Sequence, residues 1–195
     1  MSDPCLDTLR VLGHELRRPL TVIRGASTLL IDDSDALPAA SRTQMLGMID
    51  RSATAMSDLI DDLLAAVHLE LGDITYAPEA LDLPALVADA VEAARYEDPE
   101  REVLVSGVDG LRAEADHEHA LRVLRSLLVN GIRYSPGTGP VELAAGAAGD
   151  RVELSVLDRG PGIPAREREK AFEKFSRLDP NTGGAGLGLF LARGL

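Results

Sequence analysis

Apolar residues in the first part of the chain recur with a helical period. In the first segment they are spaced by three, four or seven residues, and at 100° per residue they form one stripe about 80° wide, comprising Leu9, Leu12, Leu16, Leu20, Ile23 and Leu30. This pattern predicts a long amphipathic helix over residues 5–31. Turn-forming residues occupy positions 32–38, and Pro38 is suited to the opening of a second helix.

The second helix has a regular 4-3 spacing of its inner positions, which are Met45, Ile49, Ser52, Met56, Leu59, Leu63 and Ala66. This alternation is typical of the seam of a coiled coil or four-helix bundle, and it ends where Glu70 takes the next seam position. The short turn makes the two helices antiparallel neighbours. Because two helices cannot enclose an apolar seam by themselves, we predict a homodimer in which a second copy completes a four-helix bundle.

The rest of the chain mixes short strand patterns, helices and glycine-rich loops. Residues 71–82 have the composition of a linker. Beyond it the pattern predicts helices over 83–95 and 116–134, and strands over 102–106, 141–145 and 151–157. We therefore expect a helical hairpin domain at 1–70, a linker at 71–82 and an α/β sandwich domain at 83–195.

Composition and charge narrow the classes of function. The 195 residues are 45% hydrophobic, as in ordinary soluble globular proteins, and no apolar run approaches the roughly 18 residues that span a bilayer. The N-terminus has no signal-peptide pattern, and the single cysteine, Cys5, agrees with a reducing, cytoplasmic location. The net charge of −12 disfavours binding to nucleic acid or to anionic lipid.

His14 lies on the side of the first predicted helix opposite the apolar stripe, so it should face solvent. An isolated helical histidine is usually a neutral surface residue or a hydrogen-bonded core residue. Here Glu15 places a carboxylate beside the imidazole, and Pro19 lies inside the helix, where proline costs about 3 kcal/mol. An exposed imidazole in a locally distorted helix indicates a functional role.

The segment 13–20, with the sequence GHELRRPL, resembles the phospho-acceptor helix of the sensor histidine kinases of bacterial two-component systems, which reads roughly SHELRTPL. The resemblance implies that a nitrogen of the neutral His14 imidazole is the nucleophile and becomes phosphorylated. It also implies that Glu15 orients the ring and takes the proton from its other nitrogen.

A later segment, LRSLLVNGIRYS at 124–135, is similar to the N-box of the same family and places Ser126, Asn130 and Arg133 on one helical face. The resemblance implies that Asn130 ligates Mg²⁺ or phosphate, that Arg133 contacts phosphates and that Tyr134 packs near the nucleoside. An amide oxygen suits Mg²⁺, a hard ion that shares its coordination shell with water and substrate phosphates. By itself such a helix would equally be a solvated polar face.

The segment DRGPG at 158–162 follows a predicted strand and is similar to the family's D-x-G-x-G motif, although alone it is a common turn. The resemblance implies that Asp158 accepts a hydrogen bond from the amino group of adenine. Gly160 and Gly162 would let the backbone approach the base closely.

The segment GGAGLGL at 183–189 opens a helix with glycines, where free backbone N–H groups favour phosphate. A glycine-rich linker is the alternative, but its apolar residues disfavour one. The resemblance assigns Gly184, Gly186, Leu187 and Gly188 to nucleotide binding. Residues 163–182 are similar to the family's F-box and nucleotide lid, and their local basic charge assigns Lys174 to the triphosphate.

As a set, these motifs imply an α + α/β protein. A dimeric phospho-acceptor hairpin precedes a GHKL-type sandwich that uses ATP and Mg²⁺ to phosphorylate His14. The phosphoryl group would pass to an aspartate on a response regulator receiver domain, and any membrane attachment would come only through a sensor region absent from this chain. The alternative is a catalytically degenerate dimeric scaffold that binds the regulator without turning over ATP.

Four features depart from the family pattern. Arg18 replaces a Thr or Asn, which predicts weak phosphatase activity, and Gly131 replaces an alanine at a small cost in helix stability. Ser126 replaces the first asparagine of the N-box, which predicts weaker Mg²⁺ binding, and the lack of a glutamate there disfavours a mechanical GHKL ATPase. The chain ends soon after the glycines, so we expect the last hairpin to be missing and a sheet edge to be exposed.

Overall fold

The computed structural model describes residues 4–32, 36–135, 137, 139–178 and 183–195. The chain divides into two compact units. The first unit comprises Met1–Ala65 with Gly183–Ala185, and the second comprises Ala66–Thr182 with Gly186–Leu195.

Two long helices confirm the predicted helical hairpin. They are α1, Pro4–Asp32, and α2, Ala39–Leu71, and residues 33–35 of the predicted turn lie outside the described part of the chain. The predicted seam of α2 is half-buried from Met45 to Leu63 and buried at Ala66. None of the helices among the described residues combines the length and the apolar composition that crossing a membrane requires.

The second part of the chain alternates strands and helices, as predicted. Its elements are β1 (Glu79–Asp82), α3 (Leu83–Ala94), β2 (Val103–Ser106), β3 (Arg112–Ala115), α4 (His117–Tyr134), β4 (Val141–Ala148), β5 (Arg151–Leu157), a 3-10 turn (Ala165–Glu167), α5 (Arg168–Ala171) and α6 (Gly188–Gly194). The strands β1 and β3 were not predicted, and β4 continues three residues beyond its predicted end.

The described strands form two sheets. β2 pairs in parallel with β4, which pairs antiparallel with β5, so that Leu104, Glu142 and Leu157 stand in one row across the sheet. β1 and β3 form a separate antiparallel pair with Leu81 opposite Ala113. Within the described residues β5 is hydrogen-bonded to β4 along one of its edges.

The core lies between the helices α3 and α4 and the inner face of the sheets. α3 has apolar residues at helical spacing, and α4 contributes Leu124, Leu128 and Ile132 from one face. Val141 and Leu143 alternate inward from β4 and are fully buried. This packing confirms the predicted sandwich and leaves the opposite face of α4, which carries Asn130, available for a binding site.

Candidate functional site

α4 presents its polar face to the start of α6. Ser126, Asn130 and Arg133 are spaced by four and three residues, and each is half-buried. The backbone of Gly188 lies so close that a Cβ atom there would be 2.5 Å from Ser126 Oγ and 3.4 Å from Asn130 Nδ2. The Ser126 hydroxyl is buried and has no hydrogen-bond partner among the described residues. The structure therefore places the N-box against the start of α6.

Arg133 forms a two-pronged ion pair near the end of α4. Its Nε donates to Glu97 Oε1 at 3.0 Å, and its Nη2 donates to Glu97 Oε2 at 2.7 Å. The two side chains are 23% and 33% exposed, so the pair is partly shielded from water. A phosphate that binds Arg133 must compete with this carboxylate.

The loop after β5 is tied to the end of α4. Asp158 Oδ1 accepts from the Gly160 N–H at 2.6 Å, and the buried Ser135 Oγ accepts from the Arg159 N–H at 3.0 Å. A Cβ atom on Gly160 would be 2.8 Å from the carbonyl oxygen of Tyr134, so glycine permits this close approach. The N-box and the D-x-G-x-G motif thus form one surface, with the Asp158 side chain exposed and Gly162 in the same exposed loop.

Gly131 is positioned by packing. A Cβ atom there would be 3.1 Å from Val141 Cγ1 and 3.6 Å from Asp158 Cβ. The cost in helix propensity is therefore offset by the close approach of α4 to β4 and to the loop that carries Asp158.

The F-box segment contacts both the end of α2 and the glycine Gly186. Lys174 is ion-paired with Glu70 in the last turn of α2, and both side chains are nearly half exposed. Phe175 adopts a left-handed backbone conformation with φ of 59°, and Gly186 packs against the backbone of Phe175 and Ser176. Residues 179–182 of the predicted lid lie outside the described part of the chain.

α6 is anchored by two leucines that follow the glycines. Leu187 is 2% exposed and Leu191 is 1% exposed, so both are core residues. Leu187, which we assigned to nucleotide binding, is therefore buried, and its backbone rather than its side chain is available to a ligand.

α1 presents His14 to solvent, as predicted, and the adjacent Glu15 is half-buried. Within the first unit, Glu15 Oε2 accepts from the Gly184 N–H at 2.9 Å, and Arg18 Nη1 would be 2.5 Å from a Cβ atom on Gly183. Pro19 lies inside α1 and has no N–H for the helical ladder. The Thr21 hydroxyl donates to the Arg17 carbonyl at 2.8 Å in the same turn.

The Asp116 carboxylate caps the start of α4 and also accepts a hydrogen bond from the segment after α2. Asp116 Oδ1 accepts from the His119 N–H at 3.0 Å, and Oδ2 accepts from the Ala77 N–H at 2.9 Å. The backbone N–H groups of His119 and Ala77 hold the pKa of Asp116 below its ordinary value. His119 Nε2 also contacts the Thr75 carbonyl at 3.2 Å.

Sequence reasoning missed several residues that build the site. Glu97 and Glu70 pair with the two predicted phosphate cations, and the largely buried Arg101 donates to the carbonyls of Gly139 and Ser135. These partners are far apart in the sequence, and no local motif marks them. Ser135 could have been identified from the sequence, because it is the last residue of the N-box segment.

Comparison with known proteins assigns both parts of the chain. Residues 6–72 match the family model of the His Kinase A (phospho-acceptor) domain. Residues 115–195 match the family model of histidine kinase-, DNA gyrase B- and HSP90-like ATPases.

Similar proteins cover nearly the whole chain. It is 33% identical to the circadian input-output histidine kinase CikA of Thermosynechococcus vestitus, across 96% of this chain and 27% of that protein. It is 35% identical to the sensor histidine kinase MtrB of Mycobacterium leprae, across 93% and 33%. Full-length ShkA, crystallised in complex with AMPPNP, is similar with a TM-score of 0.60 and 28% identity, across 95% of this chain and 39% of that one. The chain thus spans about a third or less of these curated relatives.

The phospho-acceptor match precedes the ATPase match along the chain, and the exposed His14 lies in the region that matches the phospho-acceptor domain. The N-box, the D-x-G-x-G loop and the start of α6 are brought together by the fold. The chain belongs to the sensor histidine kinases and comprises their phospho-acceptor and ATP-binding domains.

Proposed function

We propose that this chain transfers the γ-phosphoryl group of ATP to His14 and then to an aspartate on a response regulator receiver domain. The observation that carries this function is the exposed imidazole of His14, adjacent to Glu15 on a helix that matches the phospho-acceptor domain. A buried or hydrogen-bonded structural histidine would not be available to a phosphate donor.

The chemistry at His14 requires one bond to form and one to break. An imidazole nitrogen attacks the γ-phosphorus, the bond from that phosphorus to the β,γ-bridging oxygen breaks, and ADP leaves. Glu15 takes the proton from the other ring nitrogen and supports the positive charge that develops on the ring.

The second unit carries the residues assigned to the nucleotide, apart from Gly184. Asp158 would accept from the adenine amino group, with Gly160 and Gly162 beside the base and Tyr134 near the nucleoside. Arg133 and Lys174 would neutralise phosphate charge once released from Glu97 and Glu70. The remaining contacts would be backbone N–H groups in the glycine segment, at Gly184, Gly186, Leu187 and Gly188. Catalysis would rest on positioning and charge neutralisation.

The polar face of α4 fits a hard metal ion held together with phosphates. The Asn130 side chain has an amide oxygen, and the buried hydroxyl of Ser126 beside it has no partner among the described residues. These are oxygen donors of the kind that Mg²⁺ takes when it shares its shell with a nucleotide. Mg²⁺ bound through Asn130 would neutralise charge on the transferring phosphoryl group.

The hairpin supports a homodimer. Beyond its half-buried seam, α2 exposes a second apolar row at heptad spacing, formed by Ile60, Leu64, Val67 and Leu71, which are 44–70% exposed. Such a row is covered when a second copy completes a four-helix bundle.

The charge and chemistry of the chain indicate where it acts. ATP and receiver-domain aspartates are met in the cytoplasm, which is where we place this chain, with any membrane attachment through a region outside it. The net charge of −12 disfavours nucleic acid as a partner.

Incubation with γ-labelled ATP and Mg²⁺ tests the kinase function. The label should be acid-labile, as expected of a phosphoramidate, and should be lost in His14→Gln. His117→Gln is the matched control, because His117 is also an exposed helical histidine, and it should retain the label. Nucleotide binding without any label would instead identify the chain as a non-catalytic scaffold. Label that persists in His14→Gln would overturn the assignment of His14.

A further inference from the structure

α4 and α6 pack closely against each other at one contact. The α4 residue at this contact is Ser126, and the α6 residue is Gly188. A Cβ atom at Gly188 would lie 2.5 Å from Ser126 Oγ. The same Cβ atom would be 3.7 Å from Ser126 Cβ, an ordinary van der Waals distance. The conflict at this contact therefore involves a single atom, the serine hydroxyl oxygen.

α6 cannot easily move away to relieve such a conflict. Leu187 precedes the contact at 2% exposure, and Leu191 follows it at 1% exposure, so an outward shift of α6 would expose both. Asn130 lies on the same face one turn beyond Ser126, with its Nδ2 3.4 Å from the Gly188 Cβ position. Where the side chain at position 126 does not rotate away, a larger group at position 126 or 188 therefore shifts the start of α6 relative to Asn130.

We propose, on the basis of the ATP-binding function inferred above, that Ser126 and Gly188 are a matched pair of positioning residues. Their combined size sets the distance between Asn130 and the start of α6, and that distance sets the affinity for Mg²⁺-ATP. Serine at position 126 is then an adaptation to the close approach of α6. Restoring the asparagine that the family resemblance places there should weaken nucleotide binding, although it supplies a second amide.

A double-mutant cycle measures this pairing. Four full-length chains are compared for the dissociation constant of a fluorescent ATP analogue with Mg²⁺: the unaltered chain, Ser126→Ala, Gly188→Ala and the double variant. Gly188→Ala should weaken binding about tenfold, because groups that share a ligand must be held to a fraction of an ångström. Ser126→Ala alone gives the contribution of the hydroxyl to binding, and adding Gly188→Ala to that variant should weaken binding by less than about threefold, since the conflicting oxygen is gone.

Two further variants separate positioning from general loss of structure. Gly25→Ala is a matched control, because Gly25 is also a helical glycine and has no atom within 4 Å of its Cβ position. It should bind the analogue like the unaltered chain. Ser126→Asn should weaken binding by about tenfold or more while the urea midpoint shows a folded protein.

The outcomes distinguish a failure of the Ser126–Gly188 pairing from a failure of the proposed ATP-dependent function. If the unaltered chain binds no nucleotide, the proposed ATP-dependent function fails, and the pair fails with it. If the chain binds nucleotide and Gly188→Ala binds equally well, the function stands and the pairing is overturned. The pairing is also overturned if Gly188→Ala weakens binding equally with serine and with alanine at position 126, or if Ser126→Asn binds more tightly than the unaltered chain.

Discussion

The two long helices and the sandwich domain bury apolar residues to different extents. In α1 and α2 the buried side chains among the described residues are Ala26 and Ala66, whereas larger residues such as Ile31 and Leu64 are more than half exposed. In the sandwich, Leu86, Leu128 and Leu143 are almost completely buried. The difference teaches that the sandwich can complete its core within one chain, whereas the hairpin needs a second apolar surface.

The largest effect on stability should follow from creating a cavity in the core of the sandwich. Leu128→Ala removes a fully buried side chain between α3 and the sheet and should lower the free energy of unfolding by about 2–5 kcal/mol. Urea denaturation followed by far-UV circular dichroism measures it. Leu104→Ala, at a site that is 45% exposed, is the control and should cost less than about 1 kcal/mol. Equal losses for the two variants would contradict a core centred on α4.

A charge in the exposed apolar row of α2 should weaken the proposed dimer rather than unfold the hairpin. Leu64→Glu places a charge in the exposed apolar row of α2 and should raise the dimer dissociation constant at least about thirtyfold, or about 2 kcal/mol. Sedimentation velocity over a range of concentrations measures the change. Gln44→Glu adds the same charge at an exposed position of α2 that belongs neither to that row nor to the seam at heptad spacing, and it should leave the dimer intact. A dimer unaffected by Leu64→Glu would place the association surface elsewhere.

A smaller effect is expected at Lys174, the predicted phosphate-binding residue that is ion-paired with Glu70 of α2. Glu70→Gln removes the carboxylate that pairs with Lys174, and ATP affinity should rise about two- to fivefold, because a half-exposed ion pair is worth at most about 1 kcal/mol. Titration with a fluorescent ATP analogue at low salt measures the gain. Glu169→Gln, which frees Arg193 instead, is the matched control. Equal affinity of Glu70→Gln and the unaltered chain would remove Lys174 from the phosphate site.

The sequence predicted the elements whose signal is local. Helical periodicity located α1 to α4, and the motifs marked Asn130, Asp158 and the glycine segment. The pairing of β1 with β3 was missed, because each strand has four residues and Glu79 meets Ala115 across a long stretch of chain. The acids that pair with Arg133 and Lys174 were missed for the same reason. Contacts of this kind depend on how the elements pack, and single-sequence patterns do not encode them.

The smallest effect concerns the carboxylate that starts α4. Because two backbone N–H groups lower the pKa of Asp116, the folded state favours the ionised form more than the unfolded state does. Its contribution to stability is therefore present above the ordinary range of a carboxyl group, and it is lost as the pH falls through the lowered pKa.

Asp116→Asn keeps one acceptor oxygen and removes the charge, so it should be less stable than the unaltered chain at pH 6, and the difference should shrink below about pH 4. Urea denaturation at a series of pH values follows this difference, and Asp109→Asn, at an exposed loop carboxylate, should show no such trend. A difference that stays constant from pH 6 to pH 3 would mean that Asp116 acts through its shape rather than its charge. A shrinking difference would show that an ionised Asp116 joins Ala77 to the start of α4, and so holds the segment after the exposed helices to the domain that has its own core.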